Sequence, residues 1–526
     1  MNPKNLFTDT SSLIFYLLFL LTLASLFLTH PFFVFPFDTY IHLAWIEKQD
    51  PSVHSVFRET WHWLWSNLFH LLHLDRYSIF QKGYIIHYTQ LIAVFLILFY
   101  FSRTVFTYLF KQITALHTNY LAYWSTILWF TLVSTYSAYH HEVWIVWYSV
   151  TYQITLPLML FSTGIFISFL YAKEQPLRLK LTKLSAIALT IFAILVIHPM
   201  ELIYIILYLF IFAMIHIKTI LIQIRKLGYW SLPLIILFVL ILMYLPEIVQ
   251  LFAYREIPIL QYISLEKLPM LYEEILRQGK NILEHYNRNR YFMNEMIYLD
   301  LLLLLITTVT VIYRYLTGKA CILRIHLYLF ILIGSLTLFI PQSVFSAGMA
   351  SLLTYPSVVY RFAYSTLLFL ALPIFVYYTL SLFKAQKTYW INLSILSIIL
   401  ATLYYSAYSH TTSHHYARNL ISIAHMYTTH KRSFSLTKAQ IKKIGEIVDA
   451  YEKKNHTEKP LYYYARSDIA YVIKYIYHKN AWAPIKPKKK RYEEFFKTHK
   501  DKNYTPVLIE TPDGFPPYHP YISSAR

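Results

Sequence analysis

The chain has 526 residues, 57% of them hydrophobic and only 14% charged, a balance that excludes an ordinary soluble globular protein and makes length a poor counter of domains. Its formal charge of +20 would suit nucleic acid, but the Lys and Arg lie in short stretches between apolar runs and in the C-terminal tail, which fits lipid headgroups or anionic glycans and no nucleic-acid partner. The single cysteine, Cys321, excludes an intramolecular disulfide and any cysteine-based zinc cluster, and reads as a small apolar filler.

The first apolar run, 12–29, follows a lone Lys4 and is longer than the apolar region of a signal peptide, so it reads as a retained anchor. Just past it lies Phe35-Pro-Phe-Asp-Thr-Tyr-Ile-His42. Asp38 there is flanked by apolar residues at membrane depth, where a carboxyl needs a partner or a role. In 55–87, Trp61, Trp63, Trp65, Leu68, Phe69, Leu71 and Leu72 alternate with polar residues as in a helix lying in the interface. Runs long enough to cross ~30 Å of hydrocarbon follow at 88–110 and 120–138. Tyr139-His-His-Glu142 then places His140, His141 and Glu142 beside Trp144 and Trp147.

Further runs occupy 150–172 and 183–217, the second too long for one span and broken by His198-Pro199 into two helices joined by a tight turn. Glu201 opens the second of these, where a carboxylate complements the positive end of the helix dipole by ~0.3–1 kcal/mol, and His198 can act as its cap. The run 230–250 ends in Pro246-Glu247, a solvated end. In 255–295, Leu265, Leu268, Leu271, Ile275 and Ile282 recur at helical spacing among charges, predicting a second surface helix. The spans 297–314, 325–341, 361–383 and 389–408 complete about eleven. Asp300 sits one turn inside its span, which predicts that it faces the bundle and pairs with a neighbour. Arg361, after Tyr355-Pro-Ser-Val-Val-Tyr360, either snorkels to headgroups or binds a phosphate, readings that merge if the phosphate belongs to a lipid substrate.

Loop charge fixes orientation, because Lys and Arg concentrate on the cytoplasmic side. With the N-terminus inside, the inner segments carry Lys4, Lys111, Lys173, Arg178, Lys180, Lys183, Lys218, Arg225, Lys226, Arg314, Lys319, Arg324, Lys384 and Lys387 against Asp9 and Glu174. An odd number of spans puts the C-terminus outside. The acids and histidines near the spans, Asp38, His42, His140, His141, Glu142, His198, Glu201, Glu247 and Asp300, all map to outer ends. Carboxylates and histidines converging on one outer pocket can do general acid–base work or hold a divalent cation. Their spacing matches no recognised metal motif, so catalysis without metal and without a required cofactor is the reading.

From about His410 the composition turns charged and mixed, dividing the chain into a transmembrane domain, 1–409, and a small extracytoplasmic α/β domain, 410–526. Thr437-Lys-Ala-Gln440 resembles a capping box opening a helix with Ile441, Ile444 and Val448 on its apolar side. A strand at Leu461–Tyr464, a helix at Ser467–His478 and a strand at Pro506–Glu510 follow. The basic run Lys486-Pro-Lys-Lys-Lys-Arg491 reads as a solvated loop.

Taken together, this pattern resembles the GT-C superfamily of integral membrane glycosyltransferases, whose members use sugars carried on polyprenyl phosphates. Phe37-Asp38 with Tyr40, Ile41 and His42 matches the first-loop acid of that family, and His141-Glu142 stands where a second acidic group often lies. There is one first-loop acid in place of an Asp-x-Asp pair, and the Trp-Trp-Asp signature of oligosaccharyltransferases is missing from the sequence. The resemblance implies a polytopic α-helical protein of a bacterial inner or plasma membrane, taking a polyprenyl-phosphate sugar as donor and a glycan, lipid or protein as acceptor. It implies Asp38 as base, Glu142 and His141 as catalytic partners, and His42, His140, His198, Glu201, Tyr360 and Arg361 as substrate-binding residues. Rival readings are a polysaccharide polymerase or ligase, for which Arg277, Arg288 and Arg290 leave room, a lipid-linked glycan transporter or flippase, and a non-catalytic envelope scaffold. Against the transporter stand the lack of a repeat and only 9 Gly.

Overall fold

The computed structural model describes residues 10–27, 43, 46, 58–77, 79–110, 113–132, 151–172, 175–197, 201–226, 228–230, 232, 236, 265–286, 295–318, 321–353, 359, 362, 366–384, 387–408, 438–455, 459–482, 497 and 504–513. Helices dominate. In chain order they are α1 (Thr10–Phe27), α2 (Arg58–Leu71), α3 (Ile79–Leu109), α4 (Ala115–Leu132), α5 (Thr151–Tyr171), α6 (Leu177–Ile197), α7 (Glu201–Arg225), α8 (Leu268–Asn281), α9 (Glu295–Leu316), α10 (Ile322–Ser335), α11 (Val344–Leu353), α12 (Ala371–Leu382) and α13 (Thr388–Tyr408). A π turn, Ile282–Tyr286, extends α8, and 3-10 turns at Leu336–Gln342 and Leu368–Leu370 follow α10 and precede α12.

Four described stretches are long and apolar enough to cross a membrane: Gln81–Leu109, Ile154–Tyr171, Tyr298–Leu316 and Ile322–Gln342. Shorter apolar helices lie at Ser12–Thr22, Val344–Leu353, Leu368–Leu382 and Thr388–Ala401. Much of the expected span 230–250 lies outside the described residues. The bundle is built on α5, which packs against α3, α6 and α7, while α9 packs against α10 and α12. One apolar core, from Val94 and Phe101 through Trp129, Met159 and Phe212 to Phe330, Phe369 and Tyr377, runs through these helices. In such a core a hydroxyl needs an acceptor within its own helix, and Thr126, Thr163, Thr190, Thr307 and Thr308 each donate to the carbonyl one turn back at 2.7–2.9 Å.

Several elements differ from the sequence reading. The outer loop was expected to end at 87, yet α3 begins at Ile79 and has 31 residues, about 46 Å at 1.5 Å per residue. Lys82, His87 and Gln90 lower the hydropathy there, but they are buried against protein instead of facing lipid, so the helix continues through them. Within the span placed at 361–383, a 3-10 turn at Leu368–Leu370 leads into the α-helix Ala371–Leu382. An unanticipated helix, α11, fills 344–353, and Cys321 is exposed at the N-terminal edge of α10, so it is not an apolar filler.

The C-terminal unit has α14 (Lys438–Lys454), β1 (Leu461–Ala465), α15 (Ser467–Tyr475), β2 (Asn480–Trp482) and β3 (Thr505–Ile509). The three strands are all parallel in the order β2-β1-β3, with Tyr463 opposite both Ala481 and Val507. Parallel neighbours need a crossover, and α15 supplies it between β1 and β2. Ile441, Ile444 and Val448 of α14 are buried, as the spacing required. The short β2 was not anticipated, since Asn480-Ala-Trp482 offers too few residues for an alternating pattern.

Candidate functional site

Asp38, His42, His140, His141, Glu142, His198, Tyr360 and Arg361 lie outside the described residues, as does Glu247. Glu201 occupies the first position of α7, and its side chain lies outside them too. What the structure describes is the frame around these positions. Leu43, next to His42, is 1% exposed, and Ile46 is 2% exposed. Both belong to one apolar cluster with Trp61, Trp65 and Phe69 of α2 and with Tyr84, Ile86 and Tyr88 at the start of α3. Ile197, the last residue of α6 and the neighbour of His198, packs against the same cluster. Helix α2 also packs on α6. Leu43 and Ile46, the start of α3 and the end of α6 therefore meet at one end of the bundle.

On α2 the four-residue spacing of Trp61, Trp65 and Phe69 turns those rings inward, and His62 is buried with them. Trp63, Leu64 and Leu71 are exposed on the other side, each by more than half. A short helix with apolar residues on both faces suits a position between protein and lipid, as the sequence predicted for 55–87. Beneath it the Lys82 ammonium lies 6.0 Å from the centre of the Phe69 ring, a cation–π approach. His87 is fully buried and Gln90 nearly so, one turn further along α3. These four polar side chains, His62, Lys82, His87 and Gln90, did not enter the sequence reading. The available signal was the placement of His87 and Gln90 one turn apart on what became the buried face of α3.

Val359 and Phe362, which bracket Tyr360 and Arg361, are buried in the main core together with Leu303 and Leu304 of α9. Asp300 is 1% exposed and in line with Leu303, Leu304, Thr307, Thr308 and Val311, so it faces the bundle as predicted. Neither of its carboxyl oxygens has a hydrogen-bond partner among the described residues, so the predicted pairing is not found there. Also among the described residues, no group of three or more His, Cys, Asp or Glu is arranged to hold a metal ion.

No family model and no curated protein matches the chain. Among solved structures, it is similar to two of the Archaeoglobus fulgidus oligosaccharyltransferase. One of these carries a tethered acceptor peptide with the NVT sequon. That similarity has 13% identity over 82% of this chain and 55% of the other, with a TM-score of 0.41. For the apo form the identity is 12% over 86% and 61%, with a TM-score of 0.34. The chain thus spans 55% to 61% of the length of those structures.

Proposed function

We propose that the chain is an integral membrane glycosyltransferase that moves a sugar from a polyprenyl-phosphate donor to an extracytoplasmic acceptor, with its active site at the α2 end of the bundle. The observation that supports this reading is the shared cluster holding Leu43 and Ile197. It tethers two segments far apart in sequence, one leading from Asp38 and His42, the other into His198 and Glu201. Ionisable residues held at one end of an apolar bundle are costly and mark a functional site by default.

In the proposed reaction the Asp38 carboxylate takes the proton of an acceptor hydroxyl. The oxygen forms a bond to the anomeric carbon, and the bond from that carbon to the phosphate oxygen breaks, leaving its electron pair on polyprenyl phosphate. Arg361, with His141 or His198, stabilises the charge that develops on the leaving phosphate, as preorganised donors do in other transfers. Glu142 orients the acceptor, and His42, His140 and Tyr360 line the site. Asp38→Asn, made at wild-type abundance, is expected to abolish release of polyprenyl phosphate from a donor lipid supplied to the purified protein. Undiminished release would remove Asp38 as the base. Lipid analysis of a deletion strain names the donor: one polyprenyl-phosphate sugar should accumulate, and an unchanged lipid profile would favour the scaffold reading.

A further inference from the structure

The opposite end of the bundle holds a second polar site that the transferase reading does not use. There the last turn of α5, the first turns of α6, the end of α7 and the start of α10 come together. The Tyr171 hydroxyl donates to the Leu323 carbonyl at 2.7 Å and also contacts His216 Nε2, and the His216 and His326 rings lie 5.4 Å apart. Helix ends usually place cations where carbonyls are exposed, and part of this site follows that rule. Lys183 donates to the carbonyl and hydroxyl of Ser168, at 3.2 and 2.7 Å, and Gln175 donates to the carbonyls of Ser168 and Ala172.

Lys180 is different. It is 7% exposed, and among the described residues its ammonium makes one hydrogen bond, 3.2 Å to Gln223 Oε1. Gln223 cannot turn away, because its amide nitrogen is committed to the Leu170 carbonyl at 3.3 Å. An ammonium carries three donors, and one bond to a neutral amide does not offset the loss of water around a buried charge. No carboxylate bonds Lys180 among the described residues. The segments 173–183, 218–226 and 314–324 hold four, three and three Lys or Arg against Glu174 alone. Arg178, Lys180 and Lys183 also stand in the first two turns of α6, the positive end of its dipole, where each raises the local potential further.

We propose that this end binds the phosphate of an anionic phospholipid headgroup, with Lys180 as the buried anchor. The positive-inside balance of these segments assigns the site to the cytoplasmic leaflet, across the membrane from the proposed active site and independent of it. Phosphate supplies several acceptor oxygens for the unspent N–H groups of Lys180, and its charge complements the helix end.

The test is native mass spectrometry of the full chain released from nanodiscs containing phosphatidylglycerol in phosphatidylcholine. The wild type should retain phosphatidylglycerol. Lys180→Gln should weaken its retention about tenfold, Lys180→Arg should keep it, and Lys226→Gln, an exposed cation on the same end, should leave it unchanged. Equal losses in Lys180→Gln and Lys226→Gln would mean diffuse surface charge and overturn the site. Should Lys180→Gln fail to fold, Gln223→Glu serves instead, because a carboxylate bonded to Lys180 should displace the lipid phosphate and lower retention, and an unchanged retention would overturn the proposal. Inorganic phosphate separates the sources of the anion. A phosphate-induced rise in thermal midpoint that Lys180→Gln lacks would assign the site to a soluble phosphate, and overturn the lipid if phosphatidylglycerol is not retained.

Discussion

Tyr463 is fully buried in the central strand β1, and its hydroxyl donates to Glu452 Oε1 of α14 at 3.1 Å. Burial, reinforced by the bond to Glu452 and the charges of Glu452 and Asp449, pushes the phenol well above its ordinary value. A raised folded value means that the contribution to stability is complete below the unfolded phenol's pKa near 10 and is lost as pH rises beyond it. Tyr463→Phe should therefore lower stability at neutral pH by about 1 kcal/mol, the net worth of one hydrogen bond, and flatten the alkaline loss above about pH 10. Glu452 keeps Lys479 at 3.3 Å, so the substitution does not strand it. Hydrogen exchange of the β1 amides across that pH range is the measurement, and an unchanged alkaline slope would place the sensitive group elsewhere. Such a partnership was invisible in the sequence, since Glu452 and Tyr463 meet only once α14 folds back over β1. Asp300 was legible by contrast, because 300, 303, 304, 307, 308 and 311 repeat at the helical period and predict one buried face whatever it packs on.

Helices α8 and α11 make a contact that depends on two glycines. A Cβ at Gly279 would overlap the Val344 carbonyl, and one at Gly348 would overlap the Ile275 carbonyl, so the two backbones touch reciprocally. Main-chain atoms cannot rotate aside as a flexible side chain can. Gly279→Ala and Gly348→Ala are each expected to cost about 1–3 kcal/mol, read as a lowered thermal midpoint in detergent, with the double variant falling short of the sum because one separation relieves both clashes. A midpoint unchanged by both would mean that the helices part without cost. Here the sequence was half informative. Ile275 on α8 and Ile282, seven residues on at the start of the π turn that extends it, are both buried, as their spacing required. Helix α11 gave no such signal, because its ten residues are nearly all small or apolar, and a helix that touches others on several sides carries no single-faced period. The same physics hid the first turns of α3, where Lys82 and His87 look like loop residues in the sequence but are buried in the fold.

At the scale of the whole molecule, the apolar cluster that gathers Leu43, α2 and the start of α3 also contains the core of the α/β unit, including Ile444, Val448, Tyr463, Ile469 and Ile473. A polar tail appended to a bundle would read as an independent module from composition alone, because composition reports polarity along the chain and not which apolar faces meet. Continuity of the cluster predicts a coupling of the unit to α2, which variants in α2 test. Trimming a large buried ring in such a cluster removes its transfer free energy and leaves a cavity, about 3–5 kcal/mol for Trp or Phe to Ala. Trp65→Ala and Phe69→Ala in α2 should therefore do more than loosen α2: the amides of β1 and α15, remote in sequence, should exchange faster by hydrogen–deuterium measurement on the full chain. Ile395→Ala in α13, buried in the main core, is the contrasting change, because it belongs to the other cluster and should leave β1 protected. If β1 keeps its protection in both α2 variants while α2 itself loosens, the α/β unit folds without the bundle, and any part it plays in transfer must come through its own surface.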